Sequence, residues 1–345
     1  MISHFPDKRN YIAPLAGLKV LLLCLIFIWH TDRMPPLPDL GLIGTTLFFM
    51  VSGFLTAYKH IGSMSCSWQT SWEVAWAKLR HFYPLHLLTF LLAAAISKDW
   101  IDFMGWQAYL CSALLNLALL QSWFSEIRFT FNGVSWFLSS LLFCYFCSPM
   151  INGLLARAAD KAWGLAGFWA GTFCLRLAIT VLMYINPHFF YVDTYVNPLV
   201  RLLEFANGAS LGAVFLVYGR NWQTYCASHP VLASFCQLLL TIGCIVGLGI
   251  FSGQNIHTLF IPLYGLLLLS LTESSGLLGK LLGHKILLWA SVIELEFFML
   301  HQMVIRYMRL ILPGSSWKYY LLVFVCTVIL SFMVYKLHKA LRRKA

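Results

Sequence analysis

Charge is what this 345-residue chain has least of, at 11% of residues, against about 25% in an ordinary soluble domain. That shortage excludes a water-facing globular surface. Acidic residues are scarcer than basic ones, 13 against 24, leaving a formal charge of +11. The 10 cysteines follow neither a zinc nor a disulfide spacing. Those in apolar runs, such as Cys24, Cys144, Cys174 and Cys244, read as small hydrophobes. The opening MISHFPDKRN has no short apolar core ending in a cleavage site, so the first apolar run is expected to be a retained helix. No internal repeat, low-complexity tract or soluble domain stands out.

What the chain has in quantity is apolar side chains, 60% of the total. Roughly 200 such residues are what ten membrane helices of about 20 residues would use. The expected fold is an all-α integral membrane protein, a bundle of about ten transmembrane helices, with 1–345 as a single transmembrane domain. Apolar runs fall near 14–30, 40–58, 82–97, 105–121, 134–156, 162–184, 198–218, 230–251, 256–272, 286–308 and 317–337. Eleven crossings would put the two basic tails on opposite sides, whereas both are expected to be cytoplasmic, about 1–13 and 338–345. The run 105–121, with Gln107, Asn116 and Gln121, is the weakest and reads as re-entrant or interfacial. Lys59, Lys78, Arg80, Arg157, Lys161, Arg220, Lys280 and Lys285 then face the cytoplasm, while Arg306 and Arg309 fall on the outer side against the rule. Lys336, Lys339, Arg342, Arg343 and Lys344 read as anchors to an anionic leaflet, which makes membrane lipids a partner and argues against nucleic acid.

Ionisable groups at membrane depth are costly unless paired or hydrated, which marks them as functional candidates. Lys19 and His30 lie eleven positions apart, about 16 Å along a helix and within about 20° of one face. A histidine there suits a general base toward a hydroxyl; the plainer alternative is an interfacial histidine beside Trp29 and a snorkelling lysine. Lys78, Arg80 and His81 form a basic cluster ahead of Tyr83-Pro84, fit to hold phosphates or simply to anchor the helix. Arg201 and Glu204, three apart, can pair inside the bilayer. Glu294, Glu296 and His301 share a late span, Glu294 and His301 about 20° apart around it. These last two sets are either a polar lining or structural pairs.

Two patterns carry little. Gly208-Ala209-Ser210-Leu211-Gly212 fits a nucleophile elbow but lies in an apolar helix, where close packing through Gly-x-x-x-Gly is the better reading. His188 to Asp193 has the His-x4-Asp spacing of glycerolipid acyltransferases without the rest of that family, in an aromatic outer loop suited to touching a sugar.

Taken in order, six blocks resemble the acyltransferase 3 family, membrane enzymes that mostly modify cell-surface glycans. They are Leu15-Ala16-Gly17-Leu18-Lys19 with its x10-His30; Phe48-Phe49-Met50-Val51-Ser52-Gly53-Phe54; the basic run ending at Tyr83-Pro84; Asn132-Gly133-Val134-Ser135-Trp136; Pro198-Leu199-x-Arg201-x-x-Glu204; and Phe297-Phe298-Met299-Leu300-His301-Gln302. The resemblance implies a core of about ten helices, His30 as the catalytic residue, and Lys19 with the Lys78, Arg80 and His81 cluster on the acyl donor, acetyl-coenzyme A from the cytoplasm. It implies no metal. The family's opening acid is Ala16 here, so that carboxylate's role is absent or supplied elsewhere, with Asp32 a candidate.

The expected activity is transfer of an acyl group, acetyl foremost, from acyl-CoA to a hydroxyl of a cell-surface polysaccharide or other glycan outside the cell membrane. The expected geometry is one polar passage running from the Lys19, Lys78, Arg80 and His81 donor site to His30, walled by Ser52, Gly53, Phe54, Trp136, Arg201, Glu204 and His301. The competing classes are a transporter or flippase for a glycan or lipid-linked intermediate, and a membrane-bound O-acyltransferase of the other major fold.

Overall fold

The computed structural model describes residues 10–31, 40–186, 193–250 and 256–342. Asp32 and His188 lie outside them. The described residues are all-helical and contain no strand. In chain order the helices are α1 (Ala13–Trp29), α2 (Leu40–His60), α3 (Trp68–Ala95), α4 (Lys98–Met104), α5 (Trp106–Leu117), α6 (Trp136–Ala159), α7 (Gly164–Ile185), α8 (Pro198–Ser228), α9 (Pro230–Ile250), α10 (Ile261–Ser270), α11 (Leu277–Leu282), α12 (Lys285–Ala290), α13 (Glu294–Ile311) and α14 (Trp317–Arg342).

Seven stretches among the described residues are long and apolar enough to cross a bilayer: α2, α6 with the turn before it, α7, α8, α9, the run from α12 through α13, and α14. The other expected crossings are shorter or more polar. α1 has 17 residues, about 25 Å. α3 has 28, but its first half carries Glu73, Lys78, Arg80 and His81. The run 105–121 becomes the 12-residue α5 and a 3-10 turn; at about 18 Å it is too short for a 30 Å hydrocarbon core.

The spans divide by what they touch. The apolar windows of α2 and α8 are 78% buried, whereas those of α7 and α14 are 17% buried. Leu175 and Leu182 on α7, Leu239 and Ile242 on α9, and Leu321 and Ile329 on α14 are exposed. On a soluble protein such surfaces would drive association; here they are the lipid-facing side.

Small residues set the central contact. A Cβ on Gly53 would run into the Phe205 carbonyl, one on Gly208 into the Met50 carbonyl, and one on Gly212 into the Phe54 carbonyl. The α2 and α8 backbones therefore approach as closely as hydrogen atoms allow, and the Gly-x-x-x-Gly at 208–212 is a packing device. Phe54, fully buried, lies against Tyr58 and Phe215. Elsewhere in an exposed helix Gly→Ala gains about 1 kcal/mol. Gly208→Ala is expected to lower the thermal midpoint in detergent, whereas Gly171→Ala, with nothing within 4 Å of the new methyl, leaves it unchanged or raises it.

Candidate active site

The site is built on two helices far apart in sequence. α1 starts with Pro14 in its first turn and carries Lys19 and, at its C-terminal cap, His30. α13 carries Glu294 in its first turn and His301 two turns on. Lys19 Nζ sits 2.5 Å from Glu294 Oε2, and His301 Nε2 sits 3.3 Å from His30 Nδ1. Glu294 and His301 thus do not pair with each other; each meets its counterpart on α1, so the two helices run in the same direction. Seven residues of α13 span about 10.5 Å and eleven of α1 about 16 Å, a difference that the length of a lysine side chain takes up. Glu296 is 3.7 Å from His338 of α14.

The proton positions on the histidines follow from their acceptors. His301 Nδ1 is 2.6 Å from the Phe298 carbonyl, so it carries the hydrogen and leaves a lone pair on Nε2. That lone pair faces His30 Nδ1, which also lies 2.8 Å from the Ile26 carbonyl. With two acceptors in front of it, His30 Nδ1 is the protonated nitrogen and the basic lone pair of this ring is on Nε2. The rings meet edge to face, centroids 4.9 Å apart.

The expected single passage is two cavities. The first, about 740 Å³, is lined by Lys19, Lys59, Lys78, His81, His338 and Lys339, by Ser52, and by Glu294 and Glu296. Four ammonium groups face two carboxylates, and each carboxylate has its own basic partner. Lys78, ahead of the apolar part of α3, lies 4.3 Å from the Tyr145 ring centre. Burial pushes its ammonium pKa down, and the neighbouring charges of Lys59 and Lys19 push the same way. The second cavity, about 480 Å³, holds His30 with Trp29, Phe129, Trp136, Tyr195, Gln302, Arg306 and Arg309. One ring, that of Phe298, lines both.

Arg80 joins neither cavity. It is two positions from Lys78, hence on another face of α3, and lies exposed over Trp76 with 6.0 Å to the ring centre. Gly53 and Phe54 pack against α8 rather than lining a cavity, and His301 stands behind His30. Arg201 and Glu204 pair, fully buried, but behind the wall of the His30 cavity. Arg201 lies among the rings of Phe49, Trp136 and Tyr195. It donates to the Tyr195 carbonyl at 2.6 Å and to Thr46 at 3.0 Å. A third member, Arg176 of α7, reaches Glu204 at 3.3 Å. Arg176 lies mid-run in 162–184, and the rule that singles out Arg201 would have found it. Lys59 and Lys339 carry no such signal, since a lysine at a helix end looks like an anchor wherever it points. Arg306 and Arg309 did carry one, their exception to the charge rule. Arg306 is held by the Phe131 carbonyl at 2.7 Å.

Comparison with known families bears on this geometry. A model of an acyltransferase domain, Acyl_transf_3, matches residues 13–336, nearly the whole chain. The chain belongs to the acyltransferase 3 family. It is also 27% identical over 235 residues to "Acyltransferase MdmB" of Streptomyces mycarofaciens, a stretch covering 61% of this chain and 59% of that protein. The chain thus spans under two thirds of that relative's length. No solved structure matches. All six acyltransferase 3 blocks lie within the matched region.

Two outcomes follow from the ion pairs. Glu204→Gln leaves two buried guanidiniums without a carboxylate and is expected to cost about 3–5 kcal/mol of stability, read as a lowered unfolding midpoint. Lys19→Glu places two carboxylates together at a part-exposed site, a loss of about 1 kcal/mol. Adding Glu294→Lys is expected to restore the midpoint, as a double-mutant cycle would register.

Proposed function

We propose that this protein is an integral-membrane O-acyltransferase that moves an acyl group, acetyl foremost, from acyl-CoA to a hydroxyl of a cell-surface glycan on the far side of the cell membrane. The observation that carries the reading is the pairing of α1 and α13, which puts a basic cavity at one end of the Lys19–His30 stripe and a histidine in a second cavity at the other. On this reading the basic cavity opens to the cytoplasm, both termini lie there, and α1, α3 and the segment around α10 complete about ten crossings.

The donor's phosphates would be held by Lys78 with His81, and by Lys59 and Lys339 around them. An anion there offsets the burial that chiefly lowers the Lys78 ammonium and the repulsion from Lys59 and Lys19 that adds to it. Lys19, already committed to Glu294, contributes less charge to the donor and more to the axial register of the two helices. At the other end, the rings of Trp29, Trp136 and Tyr195 offer flat apolar faces with polar edges, suited to a sugar ring, and Gln302, Arg306 and Arg309 supply donors.

In the transfer, His30 Nε2 takes the proton of the acceptor hydroxyl as its oxygen attacks the thioester carbonyl. The new C–O bond forms, the C–S bond breaks with its electron pair on sulfur, and the proton passes on to the departing thiolate. His30 acting as nucleophile, carrying the acyl group before the hydroxyl arrives, uses the same atom. In either route His301 is a positioning residue. Its Nε2 lone pair accepts from His30 Nδ1–H, holds the tautomer and favours the imidazolium, as the third member of a catalytic triad does with a carboxylate.

A transporter of glycan or lipid-linked intermediates is the second reading, supported by the buried Arg176, Glu204 and Arg201 charges. Purified protein given labelled acetyl-CoA and an envelope glycan separates the two, because covalent labelling marks transfer and movement without labelling marks transport. Under the transfer reading His30→Ala is expected to lower turnover by about 10²–10⁴-fold with the unfolding midpoint unchanged. Lys78→Ala is expected to raise the KM for the donor about tenfold, and Arg80→Ala to change it little. Full turnover in the His30 variant would refute the site.

A further inference from the structure

Among the described residues the two cavities have one lining residue in common, Phe298. It lies one turn beyond Glu294 and three residues before His301, so the face of α13 that meets α1 reads ion pair, phenyl ring, histidine pair in successive turns. The ring is buried, with 7% exposure, and its centroid lies 5.1 Å from that of Phe137 and 5.9 Å from that of His301. The surrounding stretch of α13 is tied to its neighbours. The Phe298 carbonyl accepts from His301 Nδ1, the Met299 carbonyl accepts from Asn132 Nδ2 at 3.0 Å, and the Val134 amide donates to Gln302 Oε1. A held backbone leaves the side-chain torsions of Phe298 as the freedom at this point.

We infer that Phe298 is the partition between the donor and acceptor cavities and sets the length of acyl chain that can be transferred. The inference rests on the transfer reading above. A thioester delivered from the basic cavity must bring its carbonyl to about 3–3.5 Å from the attacking oxygen, and the acyl tail, at the very tip of the donor, enters first. It therefore takes the space vacated by the rotating ring. A two-carbon tail fits a slot the width of a displaced phenyl edge; a longer one must extend into the His30 cavity and displace the acceptor. With the ring back in place, water in the His30 cavity is kept from the thioester. When it is not, water's oxygen attacks the carbonyl, the C–S bond breaks, and free CoA thiol and carboxylic acid are released with no acceptor consumed.

The test uses the full-length protein in detergent, straight-chain CoA thioesters from two to eight carbons, and envelope glycan from cells lacking the protein. Free thiol is followed with and without the glycan. The wild type is expected to lose at least tenfold in glycan-dependent turnover between acetyl and butyryl. Phe298→Ala is expected to move that cut-off out by two or more carbons and to raise glycan-independent thiol release at least tenfold; Phe298→Trp is expected to penalise propionyl against acetyl. Phe298→Leu, close to the original volume, covers the case in which the alanine variant does not fold, its cut-off lying between wild type and the longest acyl chain used. A wild type that takes octanoyl as readily as acetyl, or variants that turn over with an unmoved cut-off and unmoved thiol release, overturns the partition alone. No glycan-dependent turnover of any thioester by the wild type overturns the transfer reading, and the partition with it.

Discussion

The axial register between α1 and α13 is the constraint on which the remaining geometry depends. Neither helix completes its polar groups without the other, because Lys19 would be an unneutralised ammonium facing a cavity and His30 Nδ1 would keep only the Ile26 carbonyl of its own helix. The Lys19–Glu294 pair fixes the sliding coordinate at one end, and the His301 lone pair reads it out at the other. A slip of one residue along α13, about 1.5 Å with a 100° rotation, would break both contacts together. The pair is only part-buried, so its contribution in energy is small. What it contributes is uniqueness of alignment between the two helices, since lipid tails supply no hydrophobic force that packs helix on helix.

The rest of the bundle keeps that alignment from drifting. α2 and α8 approach through Gly53, Gly208 and Gly212, and Arg176 and Arg201 clamp Glu204 between α7 and α8. Arg201 continues to Thr46 on α2 and to the carbonyl of Tyr195, whose ring lines the His30 cavity. The Arg176, Glu204 and Arg201 side chains carry a net positive charge while almost wholly buried, and the aromatic faces around the Arg201 guanidinium offset part of that cost. Rigidity on this side holds one wall of the His30 cavity still.

Part of this is legible in the periodicity of the sequence alone. Lys19 and His30 declared a common stripe by their spacing, Arg201 and Glu204 declared a pair by theirs, and Gly208 to Gly212 announced close packing. These are all relations within one helix, where 3.6 residues per turn does the geometry. The decisive contacts join residues 275 and 271 apart, and periodicity says nothing about which helix faces which. So Glu294 and His301 were legible as polar neighbours on a span but not as separate partners for two groups on α1. Arg80 misled for the converse reason: a run of basic residues looks like one cluster in sequence, while a helix sends its members to different faces. Lys59 and Lys339 passed as anchors because helix-end lysines look alike whether they face lipid headgroups or a cavity.

A partition is also what the chemistry asks of a protein with aqueous compartments on both sides. Under the proposed transfer, a continuous wet passage between them would let water compete with the acceptor hydroxyl for the thioester, and would place no wall between the donor and the far side. An apolar ring between a basic cavity and an aromatic one answers both demands with a single side chain, because it is dry when closed and its motion is local. Placing that ring on the same helix as the ion pair and the second histidine ties the three together. On the proposed transfer, the helix that supports the His30 tautomer alongside the Ile26 carbonyl is also the one whose ring determines when a carbonyl can reach that histidine, so one element serves both requirements.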